Sequence, residues 1–181
     1  MLSFSEYTFR LQLEILENLM EHSVAVAKEN LTENELSLLR FWETLRAGRT
    51  MPRRQDFVPE ELFPWIGFLH LLEPIDGGRD FRYAVFTTRT LLGKDRDLNG
   101  KCVSHWDDER TGFAMRLYGA VMQHACPIYS ALPERHENDW VVYSRICLPL
   151  GSREKITHIL AMLSPRDGEV IDPILPTVIA D

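Results

Sequence analysis

The chain has 181 residues, 45% hydrophobic and 26% charged, a balance that is typical of a globular protein and excludes a disordered chain. Twenty Lys and Arg against 27 Asp and Glu give a net charge of −7, which disfavours nonspecific binding to nucleic acid because like charges repel. The number of cysteines is odd, three, which predicts reduced thiols rather than a disulfide framework. The sequence has no signal-peptide pattern and no long apolar run, so we expect a cytoplasmic protein without a membrane span.

Residues 4–29 contain neither Gly nor Pro and have apolar residues at spacings of three and four. This pattern predicts a long amphipathic helix, and we assign residues 1–31 to it as a candidate dimerisation element. A twofold dimer would bury one apolar stripe of the helix against the same stripe of a second copy. The residues of this predicted dimer interface are Leu13, Leu16, Met20 and Val24.

A second helix is predicted to begin after Thr32, because Glu35 follows three residues later and the pair matches the capping box. Trp42 belongs to its apolar side, and Gly48 is a typical residue just beyond a helix end. The next segment is punctuated by prolines, and its stretch PEELFPW predicts one short helical turn that starts at a proline.

After this segment, the spacing of apolar residues changes from a helical pattern to one that is typical of strands. Apolar and aromatic runs at 68–74 and 81–88 are separated by IDGGRD, whose glycines suit a tight turn, so a β-hairpin is predicted. Helical spacing returns over residues 107–124 and is stopped by Pro127.

Three more strands are predicted after this helix, in PIYSAL, in residues 139–150 and in residues 155–163. Hairpins on both sides of a helical insert favour an α+β fold, with one antiparallel sheet and helices gathered on one face. Residues 167–181 include two prolines and predict an extended C-terminal tail.

The stretch FWETLRAGRTMPRRQDFVPEEL resembles the motif W..LR.GR.MP.R.DF.P, which precedes the PAS fold in one bacterial group of PAS domains. The resemblance continues through WIGFLHLLEP, FRYAVFTT, DLNGK and the last two predicted strands, and covers about residues 36–165. It implies a PAS-like five-stranded antiparallel sheet in 2-1-5-4-3 order with helices on one face. Residues 32–166 would form this domain with its leading helix, and N-terminal helices would be additional to it.

The resemblance also implies a non-catalytic sensory or regulatory protein, hence no enzyme. A small-molecule ligand or a partner would act between the sheet and helix 107–124, and signal transduction would proceed through contacts with a signalling protein partner. No cofactor is specified. The expected ligand-binding residues are Phe86, Trp106, Phe113, Leu117, Tyr118, Tyr129, Tyr143 and His158. An alternative is a homodimeric interaction or adaptor protein without a ligand.

The stretch DLNGKCVSHW, residues 97–106, allows more than one interpretation. In the PAS interpretation, residues 98–101 form the turn that leads into the connecting helix, with Gly100 at its tight position. In a zinc interpretation, two pairs would supply a Cys₂His₂ set, namely Cys102 with His105 and His124 with Cys126. In an enzymatic interpretation, Cys102 and His105 would act with Asp107 as nucleophile, base and orienting acid. His124 is also the candidate for a haem contact, because haem-binding PAS sensors carry such a residue on the connecting helix.

Overall fold

Six antiparallel strands form one sheet in the computed structural model, which describes residues 28–87, 98–105, 110–136, 139–166 and 174–179. The strands are β1 Leu69–Ile75, β2 Asp80–Val85, β3 Ile128–His136, β4 Asp139–Gly151, β5 Ile156–Pro165 and β6 Ile174–Val178. Their order in the sheet is β2-β1-β5-β4-β3-β6, and every neighbouring pair is antiparallel. The α+β class and the 2-1-5-4-3 order are confirmed, with one strand more than predicted.

The sixth strand lies in the predicted extended tail. β6 pairs with β3, with Val178 opposite Ile128 and Thr177 opposite Tyr129. Pro176 has no backbone N–H to donate, and a strand that contains proline is tolerated at the edge of a sheet. The prolines in this segment masked a strand signal, because proline normally argues against a strand assignment.

Within the described ranges, two α-helices accompany the sheet, α1 over Glu33–Arg46 and α2 over Arg110–His124. Short 3₁₀ helices occupy Lys28–Asn30, Arg54–Asp56, Pro59–Trp65 and Val103–His105. The predicted capping box opens α1. The Glu35 backbone N–H donates to Thr32 Oγ1 at 3.2 Å, and the Thr32 N–H donates to Glu35 Oε2 at 2.8 Å.

The two helices lie against opposite faces of the sheet. We call the face toward α2 the inner face, because the guanidinium of Arg145 on β4 lies over the ring of Phe113 on α2. We call the face toward α1 the outer face, because the hydroxyl of Ser144, the preceding residue of β4, donates to Glu35 on α1 at 2.5 Å. Neighbouring residues of a strand point to opposite faces, so the sheet register assigns every other strand residue.

Buried polar contacts attach α1 to the outer face. The indole N–H of Trp42 donates to the carbonyl oxygen of Pro149 on β4 at 2.9 Å. Glu35 is fully buried, and Nη1 of Arg166, just beyond β5, approaches its other carboxylate oxygen at 3.9 Å. A buried carboxylate requires such partners, so α1 is an integral layer of the fold.

The predicted helix at residues 4–29 lies almost entirely outside the described residues. Its last positions enter the 3₁₀ helix Lys28–Asn30. In the part of the chain that the structure describes, no helix has both the length and the apolar character needed to span a membrane.

Candidate functional site

Residues 98–102 form a turn and then run along the free edge of β2. The turn closes with the Lys101 N–H donating to the Leu98 carbonyl at 3.0 Å, and Gly100 has φ +74. Tyr83 on β2 then pairs with this segment, accepting from the Gly100 N–H at 2.7 Å and donating to the Lys101 carbonyl at 3.0 Å. Only glycine adopts positive φ without steric cost, so this stretch is a turn that covers a sheet edge.

Cys102 and His105 occupy structural positions in this segment. Cys102 makes a β-bridge with Arg82, and His105 is exposed at the end of the 3₁₀ helix Val103–His105. The hydroxyl of Ser104, between them, donates to Asp80 at 2.6 Å. Asp107, the third residue of the enzymatic interpretation, lies outside the described residues.

The second pair of the zinc interpretation lies at the end of α2. His124 is exposed there, and Cys126 is partly buried, which raises the pKa of its thiol. Among the residues with described positions, no three His, Cys, Asp or Glu side chains are grouped to hold a metal ion. An exposed His124 is not directed into the space between α2 and the sheet, where the haem interpretation would need it.

Five of the eight predicted ligand-binding residues lie around the space between α2 and the inner face. They are Phe86, Phe113, Leu117, Tyr118 and Tyr143. Trp106 lies outside the described residues. The structure therefore brings together members of the predicted set from β4, from α2 and from the residue that follows β2.

Tyr129 and His158 lie on the outer face, so they do not face the space between α2 and the sheet. Tyr129 is opposite Ile146 in the β3–β4 register, and its hydroxyl donates to the Asn30 carbonyl at 3.2 Å, beside α1. His158 on β5 has its Nε2 atom 3.6 Å from Oε1 of Glu73 on β1, and both side chains are partly buried. Tyr129 is opposite Ile146 and His158 is opposite Leu150, and both of these β4 residues point to the outer face, like Ser144. Only the pairing register between strands reveals which face each residue occupies.

The inner face also carries residues that were not in the predicted set, among them His70, Tyr83, Ser130 and Arg145. The ring of His70 lies 4.6 Å from Phe86 and 5.9 Å from Tyr83, centroid to centroid. The hydroxyls of Tyr83 and Tyr118 are 3.4 Å apart and buried. The alternation within FRYAVF could have indicated Tyr83, since Phe81 and Tyr83 share a face with period two.

Burial keeps the titratable groups of the inner face neutral. It lowers the pKa of His70 to about 3, and Arg145 contributes to the lowering. The pKa of Tyr83 and that of Tyr118 are raised by burial, and the pKa of Cys147 is raised to about 12 by the same cause. His70 Nδ1 accepts from the Thr87 N–H at 3.3 Å, so the neutral ring carries its proton on Nε2.

Arg145 brings a positive charge to this neutral surrounding. Its Cζ lies 5.2 Å from the centroid of the Phe113 ring, and Nη1 donates to the Tyr143 carbonyl at 3.5 Å. The charge lowers the pKa of Tyr83, Tyr118 and Cys147, opposing burial in each case. Ser130, directly opposite Arg145 in the β3–β4 register, is fully buried.

An antiparallel sheet that carries an α-helix over an inner face of aromatic and polar side chains defines a class of small α+β domains. A family model described as PAS domain matches residues 31–164. The chain belongs to the PAS domain family. No curated protein and no solved structure matches the chain. The family match supports a sensory or regulatory domain.

Proposed function

We propose that this chain is a non-catalytic sensory domain that binds a small molecule between α2 and the inner face of the sheet. The observation that carries the proposal is the set of polar groups in an otherwise apolar interior: His70, Tyr83, Tyr118, Ser130 and Arg145. Binding sites for small molecules are mostly apolar with a few well-placed polar groups. A core built for stability alone would contain fewer polar groups, since each costs free energy when buried.

Binding would be transmitted through protein contacts. A ligand that contacts both α2 and the sheet would favour one packing of α2 over another, because it can shift an equilibrium only by binding the two states with different affinity. The outer face and its α1 layer would then pass the change to a signalling partner. Dimerisation through residues 4–29 is a second part of this proposal, and it rests on the amphipathic sequence.

Native mass spectrometry of the full chain, purified without denaturation, tests the ligand proposal. We expect a species heavier than the chain by the mass of one small molecule, and its loss after denaturation. A thermal-unfolding screen with a broad set of metabolites complements it, and a binding compound raises Tm by mass action. A chain of bare mass whose Tm no compound raises would exclude a small-molecule sensor.

A further inference from the structure

We infer that a buried polar cluster, which we call the Glu35 junction, couples residues 28–32 to β4 and to the end of β5, so that these parts change conformation together. The junction consists of Asn30, Glu35, Tyr129, Ser144 and Arg166. The inference goes beyond the proposed function, because the coupling needs no ligand. A partner or a second copy that binds the residues before the junction acts on the sheet through it.

Both carboxylate oxygens of Glu35 have partners from other parts of the chain. Oε1 accepts from the Ser144 hydroxyl on β4 at 2.5 Å, and Oε2 accepts from the Thr32 N–H at 2.8 Å. Nη1 of Arg166, which follows β5, lies 3.9 Å from Oε2. Glu35 is fully buried, and the Arg166 side chain is only 12% exposed. Loss of one partner from such a pair is strongly destabilising, because it leaves a buried charge uncompensated.

Arg166 connects this carboxylate to the segment that precedes α1. The same Nη1 atom that faces Glu35 donates to the Asn30 carbonyl at 3.1 Å. The Tyr129 hydroxyl on β3 donates to that carbonyl at 3.2 Å, and the Arg166 backbone N–H donates to the Val142 carbonyl on β4 at 2.8 Å. A displacement of Asn30 therefore removes an acceptor from Arg166, and a displacement of Arg166 removes the cation from Glu35.

The shared atoms favour joint opening of the junction over separate opening of its contacts. Hydrogen bonds in a buried network strengthen one another, and a partly broken network leaves buried polar groups without partners. Residues 28–32 are then either held with β4 and the end of β5 or released together with them. Ser144 stands between Tyr143 and Arg145, which point to the inner face. Because coupling between two sites is reciprocal, a change at the inner face acts equally on the N-terminal segment.

Hydrogen exchange of the full chain, followed by mass spectrometry, tests the coupling. In Arg166→Met, we expect backbone amides in two separate segments, residues 28–36 and 141–147, to exchange about tenfold faster or more. Exchange in residues 69–85, the β1–β2 hairpin, should stay within about twofold, because no junction residue lies there. Arg166→Lys keeps the positive charge and should restore part of the protection in both segments.

A double variant distinguishes one junction from two independent contacts. Glu35→Gln alone removes the carboxylate and should accelerate exchange in the same two segments. Combined with Arg166→Met, it removes the uncompensated buried charge, so the double variant should exchange no faster than Arg166→Met alone. Independent contacts would instead multiply the two accelerations.

Arg40→Met is the matched control, because it removes an arginine of α1 whose ion-pair partner, Glu33, is exposed. It should leave exchange in both segments unchanged. If Arg166→Met does not fold, Ser144→Ala replaces it. That variant removes one hydrogen bond on β4, and faster exchange in residues 28–36 is still expected.

Acceleration confined to the neighbourhood of the substituted residue would overturn the inference, as would accelerations that multiply in the double variant. Equal acceleration in Arg40→Met, or throughout the sheet in Arg166→Met, would do the same, because either would show a general loss of stability. These experiments add no ligand, so absence of a bound small molecule would remove the proposed function alone.

Discussion

His70 shows how one residue can have a role that its sequence context conceals. It lies within an apolar strand and is only 6% exposed, between the rings of Tyr83 and Phe86. Its Nδ1 accepts a backbone hydrogen bond from Thr87. The ring is therefore held neutral by burial, with the positive charge of Arg145 acting in the same direction.

A pH dependence of folding follows from His70. Its pKa is about 3 in the folded chain against the ordinary histidine value of 6.5 in the unfolded chain, so between these two values the unfolded state binds one proton more. The contribution of the neutral His70 ring to the free energy of unfolding is therefore complete above about pH 6.5. It decreases as pH falls toward 3, by up to about 1.4 kcal/mol per pH unit. Urea unfolding between pH 7.5 and 4.5 measures the slope.

The matched variant is His70→Asn, because its amide oxygen can replace Nδ1 as acceptor for the Thr87 N–H without titrating. We expect its stability to decrease less steeply with falling pH than that of the unmodified chain. Parallel curves for the two proteins would show that His70 titrates normally and is not held neutral in the folded state.

At the scale of elements, glycines occupy two hairpin connections of the sheet, Gly77 between β1 and β2 and Gly151 between β4 and β5, and they differ in how strongly they exclude a side chain. Gly77 in the β1–β2 turn has φ +71, and a Cβ added there would meet no atom within 4 Å. Gly151 at the end of β4 has φ +153, and its added Cβ would overlap the carbonyl oxygen of Lys155. Gly151 also donates to the Pro52 carbonyl at 2.8 Å, which ties the β4–β5 hairpin to the segment after α1.

Alanine substitutions at these two glycines should differ in cost. Gly77→Ala meets only the strain of positive φ, about 1–2 kcal/mol. Gly151→Ala adds a clash with backbone, which cannot rotate away as a side chain can, so we expect a loss of about 3 kcal/mol or more. Chemical denaturation of both variants checks the difference, and equal losses would contradict the backbone clash.

At the scale of the whole molecule, the sheet is covered on both faces and along one edge. α1 and α2 lie on opposite faces, residues 98–102 cover the edge of β2, and β6 is the opposite edge strand, where Pro176 has no backbone N–H to offer another strand. Unpaired edges are sites of unwanted pairing between chains. Self-association of this protein is therefore expected to use a helix surface rather than sheet extension.

A dimer through residues 4–29 is tested by placing charge in the apolar stripe. Leu16→Glu with Met20→Glu should reduce the mass measured by light scattering from two chains to one, since two buried charges oppose pairing. Glu17→Gln is the control on the polar side and should leave the mass unchanged. A chain that is monomeric without substitution, or a charged variant that stays dimeric, would exclude this interface.

Truncation is a poorer test of the dimer, because it can disturb the fold as well. The Asn30 carbonyl accepts from Tyr129 at 3.2 Å and from Arg166 at 3.1 Å. A deletion that includes Asn30 would therefore loosen contacts between the N-terminal segment and the outer face. The full-length substitutions avoid this ambiguity.

The sequence alone was sufficient for elements whose signal is local. The Thr32–Glu35 capping box, the glycine turn at Gly100 and the strand–turn–strand pattern of β1 and β2 each depend on residues close together in the chain. Short-range periodicity and turn chemistry follow from backbone sterics and neighbouring hydrogen bonds, so the order of the elements could be predicted before the structure was known.

Only the tertiary structure decided which side chains face α2. Alternation shows that Ser144 and Arg145 point to opposite faces, but which face receives α2 depends on contacts between distant segments. The same long-range register places Tyr129 and His158 on the outer face, and it places His70, Ser130 and Arg145 on the inner face. β6 likewise acquired its strand conformation from pairing with β3, because hydrogen bonds to a neighbouring strand outweighed the weak local preference of a proline-containing segment.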